Sequence, residues 1–209
     1  MTNFKIFSSI PQWRFWTALG FQLVLVFAIP SQAFYTYISG KTVILQTRPV
    51  DPYDWMRGYS QTLRYDISTE DNLKSLRGWE QLAQESEKKG DTFHKGKPFY
   101  VILEAPKTPS TQKPPLAWKA VAISAERPQN LPSNQVAIEG KMTNYGWWID
   151  YGIETYYFPE AKRNEINAAI EQLQANQKGE RPFVVEVKID AGGNAVPVGL
   201  WIGEQYYRF

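Results

Sequence analysis

The chain has no cysteine among its 209 residues and a single histidine, His94. The first absence excludes disulfides, thiolate metal sites and cysteine nucleophiles. A body held in an oxidising compartment must then be stabilised by packing alone. The second leaves little room for imidazole chemistry. His94 sits in the polar stretch GDTFHKGKP and reads as a solvated loop residue. A Ser-His-Asp triad has to use it, and no G-x-S-x-G elbow accompanies it. A metal site has to rely on carboxylates, and no cofactor motif is present. The charge is balanced at +2, with acids and bases interspersed, so no Lys/Arg stripe offers nucleic acid a footprint.

What is abundant is rings. Eight tryptophans, twelve tyrosines and eleven phenylalanines bring the aromatic share to 15% within a hydrophobic share of 43%. That is enough for a well-filled core in one domain of ordinary size.

The longest uncharged run lies between Arg14 and Lys41, FWTALGFQLVLVFAIPSQAFYTYISG. A membrane-spanning helix needs about 20 mostly apolar residues. Trp13, Trp16, Tyr35 and Tyr37 flank the apolar centre as interface anchors do, and Lys5 and Arg14 precede it. The pattern predicts a helix over residues 15–38 lying in the lipid bilayer, with a cytoplasmic N-terminus. Residues 1–41 are then an anchor and residues 42–209 an extracytoplasmic body. Ser31-Gln32-Ala33 also fits the small-x-small pattern of a signal-peptidase site, so a cleaved signal peptide is the second reading.

The remainder predicts an α+β body: a mostly antiparallel sheet or partly open barrel with two helical insertions. Strands are expected at TVILQT (42–47), from Tyr59 to Ile67 where large and polar residues alternate, and at PFYVILEA, AWKAVAISA and NQVAIEGKM. WWIDYGIETYYF (147–158) reads as one long aromatic strand, with Gly152 marking a bulge or close contact. PFVVEVKID and AVPVGLWIG read as a closing hairpin turned at Gly192-Gly193-Asn194. Ser68, with Asp71 three residues on, has the spacing of a capping box. Leu73, Leu76, Trp79 and Leu82 follow at intervals of three, as one helix or as two broken at Gly78. EAKRNEINAAIEQLQANQ is a further helix with Ile166, Ala169, Ile170 and Leu173 on one face. APKTPSTQKPPL is a proline-rich loop.

Two stretches concentrate special residues. In RPVDPYDWMRGYSQTLRY (48–65) the prolines restrict the backbone. Asp51 and Asp54 suit Asx-turns, and Gly58 suits a positive φ. Arg57 offers a planar fork to a carboxylate, with Glu154 the first choice. Leu63 and Tyr65 then point to the core. This stretch is expected to be a rigid joint between anchor and sheet. Ser60, near the anchor, has the placement of a signal-peptidase-like Ser–Lys nucleophile, but no lysine pairs with it by pattern.

Pro49-Val50-Asp51-Pro52, Arg57-Gly58, Leu63 and Tyr65, followed by Tyr151-Gly152-Ile153-Glu154, Tyr156, Pro159 and Glu160, resemble the GDYXXLXY family of membrane-anchored proteins in its photosynthetic-bacterial form. The resemblance runs from the anchor through the last hairpin. The naming motif is degenerate, with Tyr59 at its aspartate position and Ser60 at its first tyrosine position. The resemblance implies location and architecture, and no reaction. Together these features lead to an expectation of a non-catalytic, single-pass domain that binds or scaffolds another membrane or periplasmic component. A membrane-anchored hydrolase of Ser–Lys or carboxylate type, and a small-ligand-binding module, are the alternatives. The outward ring of Trp147-Trp148 is a candidate contact for such a partner.

Overall fold

The computed structural model describes residues 12–49, 60–88, 97–108, 112–143, 148–157, 160–176 and 183–208. The uncharged run forms one helix, α1 (Gln12–Ser39), long and apolar enough by length and composition to cross a membrane. No residue of its apolar window is buried by the rest of the chain. Trp16, Phe21, Phe27 and Ile29 all stand exposed.

The body follows at once. β1 (Lys41–Pro49) starts after Gly40. It is followed by β2 (Ser60–Tyr65), a 3-10 turn at Asp66–Ser68, two short helices α2 (Glu70–Leu73) and α3 (Trp79–Lys88), β3 (Pro98–Glu104), β4 (Lys119–Ser124), β5 (Gln135–Met142) and β6 (Ile149–Asp150). β7 (Thr155–Tyr157), α4 (Arg163–Asn176), β8 (Phe183–Ile189), β9 (Ala195–Ile202) and β10 (Gln205–Arg208) complete it. The named strands form a six-stranded sheet, order β10-β9-β8-β1-β2-β7, and a four-stranded sheet, order β4-β3-β5-β6. Every pairing between them is antiparallel. One sheet curls into a half-barrel, so the α+β architecture is as the pattern predicts.

Alternation builds the core. Phe99, Val101 and Leu103 on β3 are fully buried, and so are Val185 and Val187 on β8. Successive strand side chains face opposite ways, so each set lines one inner face. Val43 and Leu45 of β1, Ile138 of β5, and Leu200 and Ile202 of β9 fill the space between. Gly78, at φ 95°, breaks the helical stretch into two.

Four expectations change. The 147–158 run is two strands in different sheets: β6 pairs with β5 and β7 with β2. Gly152 takes φ 74°, which turns the chain between them, and both Tyr151 and Ile153 point inward. Ser68 does not cap a helix. The 3-10 turn places Thr69 at the N-cap of α2, with no side-chain cap bond. The closing hairpin gains a third strand, β10, paired to β9 from Gln205 to Arg208. Finally, 48–65 is not the joint to α1. Residues 41–47 of β1, roughly 23 Å of strand, separate it from the helix. Asp51, Asp54, Arg57 and Gly58 lie outside the described residues, as do His94 and Trp147.

The joint is made elsewhere. Thr36, fully buried near the end of α1, donates its hydroxyl to Asp190 Oδ2 at 2.7 Å. Asp190, 4% exposed, closes the β8–β9 turn. Its Oδ1 accepts from the backbone N–H of Gly192 at 2.7 Å and of Asn194 at 3.1 Å, and the Asn194 amide also reaches it. The same turn reaches the other sheet, where Glu139 N–H donates to Gly193 C=O at 2.9 Å. Gly40 permits the close approach: a Cβ there would meet Thr36 O and the Ile189 backbone. Burial alone pushes the Asp190 carboxyl up. Bonds from Thr36, Asn194 and the Gly192 and Asn194 amides outweigh it and hold the pKa below the usual value.

The joint therefore stabilises the ionised acid. Its contribution is present above the ordinary Asp pKa and is lost as pH falls through the depressed one. Asp190→Ala leaves turn N–H groups and the Thr36 hydroxyl without their partner, a cost of roughly 3–5 kcal/mol. In thermal melts of the detergent-solubilised full chain we expect a drop of about 10 °C, with Thr36→Val costing less. An unchanged melt for Asp190→Ala contradicts this joint.

Candidate functional site

The two motif segments that bracket the body meet in space. β2 carries Leu63, Arg64 and Tyr65; the turn between β6 and β7 carries Tyr151, Gly152, Ile153 and Glu154. Leu63 N–H donates to Glu154 C=O at 2.7 Å. Tyr65, 2% exposed, donates its hydroxyl to Ile153 C=O at 2.7 Å. Tyr151 returns the contact, donating to Ile67 C=O at 2.6 Å. The result is a clasp in which each segment satisfies buried carbonyls of the other. Burial, with Glu154 nearby, pushes both tyrosine hydroxyls well above their ordinary pKa, so they stay protonated donors. Leu63 and Tyr156 are buried beside them.

Glu154 is the one group of the clasp whose charge is in play. Its carboxylate accepts from Tyr151 N–H at 2.6 Å and is hydrogen-bonded to Asp150. Burial is the largest cause that raises its pKa, followed by the Asp150 bond; the total reaches about 7. Asp150 in turn accepts from Gly152 N–H at 2.9 Å. Glu154 thus keeps its proton well above the ordinary glutamate range. The expected partner of Glu154, Arg57, lies outside the described residues. Glu160 opens a 3-10 turn, Glu160–Lys162, and its side chain lies outside the description, as does that of Ser60, whose backbone pairs with Tyr157.

Beside the clasp opens a cleft of about 440 Å³. Arg64, Ser68, Thr143, Trp148, Asp150 and Glu154 supply its polar wall, and Leu63 and Ile149 its apolar floor. The Arg64 guanidinium lies over the Trp148 ring, 4.3 Å from its centroid. Trp148 is fixed by a backbone bridge to Thr69 and by its C=O, which accepts from Thr143 N–H. A second hollow, about 430 Å³, lies on the other side of the same turn. Its walls are Ile29, Gln32 and Ala33 of α1 on one side and Lys141, Asp150 and Gly152 on the other. Asp150 and Gly152 line both, so the turn is a partition between them.

Leu63, Tyr65, Tyr151, Gly152, Glu154 and Tyr156 stood out in the sequence as motif residues, with Arg57 as the expected partner of Glu154; the contact between the two segments runs through Tyr65 and Tyr151. Sequence reasoning missed Arg64, Ser68, Thr143 and Asp150. Asp150 was legible as the acid directly before Tyr151-Gly152. Ser68 was hidden by its apparent role as a cap.

The raised pKa of Glu154 has a sign. An unfolded glutamate ionises near 4.5 and the folded one near 7. Between these values the native state holds a proton that the unfolded chain has released. Stability therefore falls as pH rises through this window, by up to about 3 kcal/mol once above it. Glu154→Gln keeps an acceptor for Tyr151 and gives Asp150 a permanent donor. In denaturant titrations we expect it to be more stable than the parent by about 1–3 kcal/mol near pH 8 and equal to it near pH 4. A variant less stable than the parent at the higher pH contradicts the raised pKa of Glu154.

The GDYXXLXY protein family has a model that matches residues 22–200, which include α1 from Gln22 and both halves of the clasp. No curated protein and no solved structure matches the chain.

Proposed function

The chain belongs to the GDYXXLXY protein family, and from that premise we propose that it is a single-pass, membrane-anchored, non-catalytic domain that binds another membrane or periplasmic component. In this reading α1 spans the bilayer with its N-terminal side in the cytoplasm, and the body stands on the far side. Lys5 and Arg14 before the apolar run support the orientation. The observation that carries the reading is the bond between Thr36 and Asp190. A flexible tether needs no such bond; a domain that must present one face at a fixed height above the bilayer does. The unbroken course of α1 through Ser31, Gln32 and Ala33 supports an anchor that is kept over a leader that is removed.

The Asp150–Glu154 pair beside a cleft favours a second reading, a carboxylate hydrolase. Its geometry argues against that. Paired acids that cleave glycosides stand at least about 5 Å apart so that the bond fits between them. Here the two carboxyls bond each other, and Glu154 also holds the Tyr151 N–H.

Topology and partner are tested together. A C-terminal tag should be removed when protease is added to spheroplasts, and a tag that stays protected overturns the orientation. Cross-linking in intact membranes followed by purification in mild detergent should recover a protein partner with the parent chain. That partner should be retained with Glu154→Gln, which leaves the clasp bonds in place. Loss of any cellular phenotype in a stably folded Glu154→Gln protein favours the hydrolase instead.

A further inference from the structure

The hollow between α1 and the body differs from the cleft in one respect: one of its walls belongs to the apolar helix. Ile29, Gln32, Ala33 and Thr36 recur at the spacing i, i+3, i+4, i+7 and so form one stripe of α1. The helix is pinned to the body at the far end of this stripe. Thr36 bonds Asp190 there, and Arg208 bonds the Tyr37 hydroxyl. From Thr36 the hollow runs back along the helix to Ile29, with a volume of about 430 Å³. Ile29 is 83% exposed, so this wall is continuous with the free apolar surface of α1.

Helix length sets the level of the stripe in a bilayer. The hydrocarbon core takes about 20 residues of helix. Counted from Phe15, just after Arg14, they end near Phe34. Trp16 and Tyr35 then fall at the two boundaries, where such rings anchor. Ile29 lies inside the hydrocarbon, and Gln32, Ala33 and Thr36 lie at headgroup level.

The opposite wall sets the chemistry. Lys141 and Asp150 are direct partners across β5 and β6. Glu139, two residues before Lys141, shares their face of the sheet. Lys141 is the one basic residue among the described lining residues, and its Nζ stands 3.4 Å from Glu139. That cation is therefore already paired with an acid. A carboxylate accepts at about four lone-pair sites. Asp150 is exposed and spends one on Gly152 N–H, and Glu139 is half-buried beside it. On the helix side the exposed Gln32 adds an amide. Open acceptors outnumber open donors in this hollow.

We propose that the hollow holds the headgroup of a bilayer lipid that donates hydrogen bonds, through an ammonium or through sugar hydroxyls, with its chains lying along α1 on the Ile29 side. Asp150 and Glu139 accept from the headgroup, and Gln32 bonds it from the helix. A choline headgroup has no N–H or O–H to offer, and an anionic headgroup finds no unpaired cation. The inference rests on the bilayer anchoring of α1 in the proposed function, but on neither its orientation nor a protein partner.

The test uses the full chain in a polyoxyethylene detergent, whose headgroup carries no sugar or amine. Phosphatidylethanolamine, monogalactosyl diacylglycerol, phosphatidylcholine and phosphatidylglycerol with identical acyl chains are titrated by native mass spectrometry. The ethanolamine lipid or the galactolipid should bind at least about tenfold more tightly than the choline lipid. The tighter of the two identifies the amine or the sugar as the donor. Ala33→Trp fills the hollow from an exposed helix position. Asp150→Asn keeps an acceptor for Gly152 N–H and removes the carboxylate. Each should reduce the preference by about fivefold or more, while binding of the choline lipid to the remaining surface of α1 stays the same. The proposal is overturned if the four lipids bind alike or if phosphatidylglycerol binds most tightly. It is also overturned if glycerophosphoethanolamine or galactose, free of acyl chains, binds as tightly as the corresponding lipid, or if both variants keep the preference. Carbonate washing of membranes separates this site from the anchor. A chain that carbonate releases overturns both, and a chain that stays in the membrane but shows no lipid preference overturns the site alone.

Discussion

The structure depends on one buried carboxylate. Asp190 closes the β8–β9 turn with backbone amides, takes the Thr36 hydroxyl from α1, and sets the turn whose Gly193 carbonyl bonds β5 in the other sheet. Three parts of the molecule therefore meet at one turn: the helix, the six-stranded sheet and the four-stranded sheet. The hydrogen bonds outweigh the burial penalty and keep the acid ionised. Remove them and a buried charge remains without partners, which is far costlier than losing one contact.

A second constraint, the clasp, acts farther along the same body. Tyr65 and Tyr151 exchange hydroxyl-to-carbonyl bonds across a separation of 88 and 84 residues to Ile153 and Ile67 respectively. This reciprocity fixes the turn between β6 and β7. The turn in turn presents Asp150 to both hollows and aims Glu154 at the cleft. Fold and candidate site are thus one problem.

Much of this was legible in the residues. The alternation of Phe99, Val101 and Leu103 allows only a half-buried strand, and the uncharged run before Lys41 allows only a long apolar helix. The pairing of Leu63 and Tyr65 on one face follows from period two. Other parts were hidden for physical reasons. In WWIDYGIETYYF rings occur on both faces, so alternation does not reveal that the chain changes sheets at Gly152. Ser68 carries a capping signal, but it is the last residue of a 3-10 turn, and the helix starts at Glu70. The joint was assigned to the prolines and aspartates at 48–65 because local turn chemistry is visible in sequence. Thr36 and Asp190, which make it, are 154 residues apart, and nothing local links them. β10 is four residues long and, among the described strands, pairs with β9 alone.

The central claim is that α1 and the body form one rigid unit through Asp190. Amide hydrogen exchange of the full chain in lipid nanodiscs tests it most directly. The N–H groups of Gly40, Gly192, Asn194 and Glu139 all donate across or beside the joint. They should exchange as slowly as the amides of β8 and β1, opening only with the cooperative unfolding of the sheet. Exchange at these four amides at the rate of an open loop, with β8 and β1 still protected, contradicts the account.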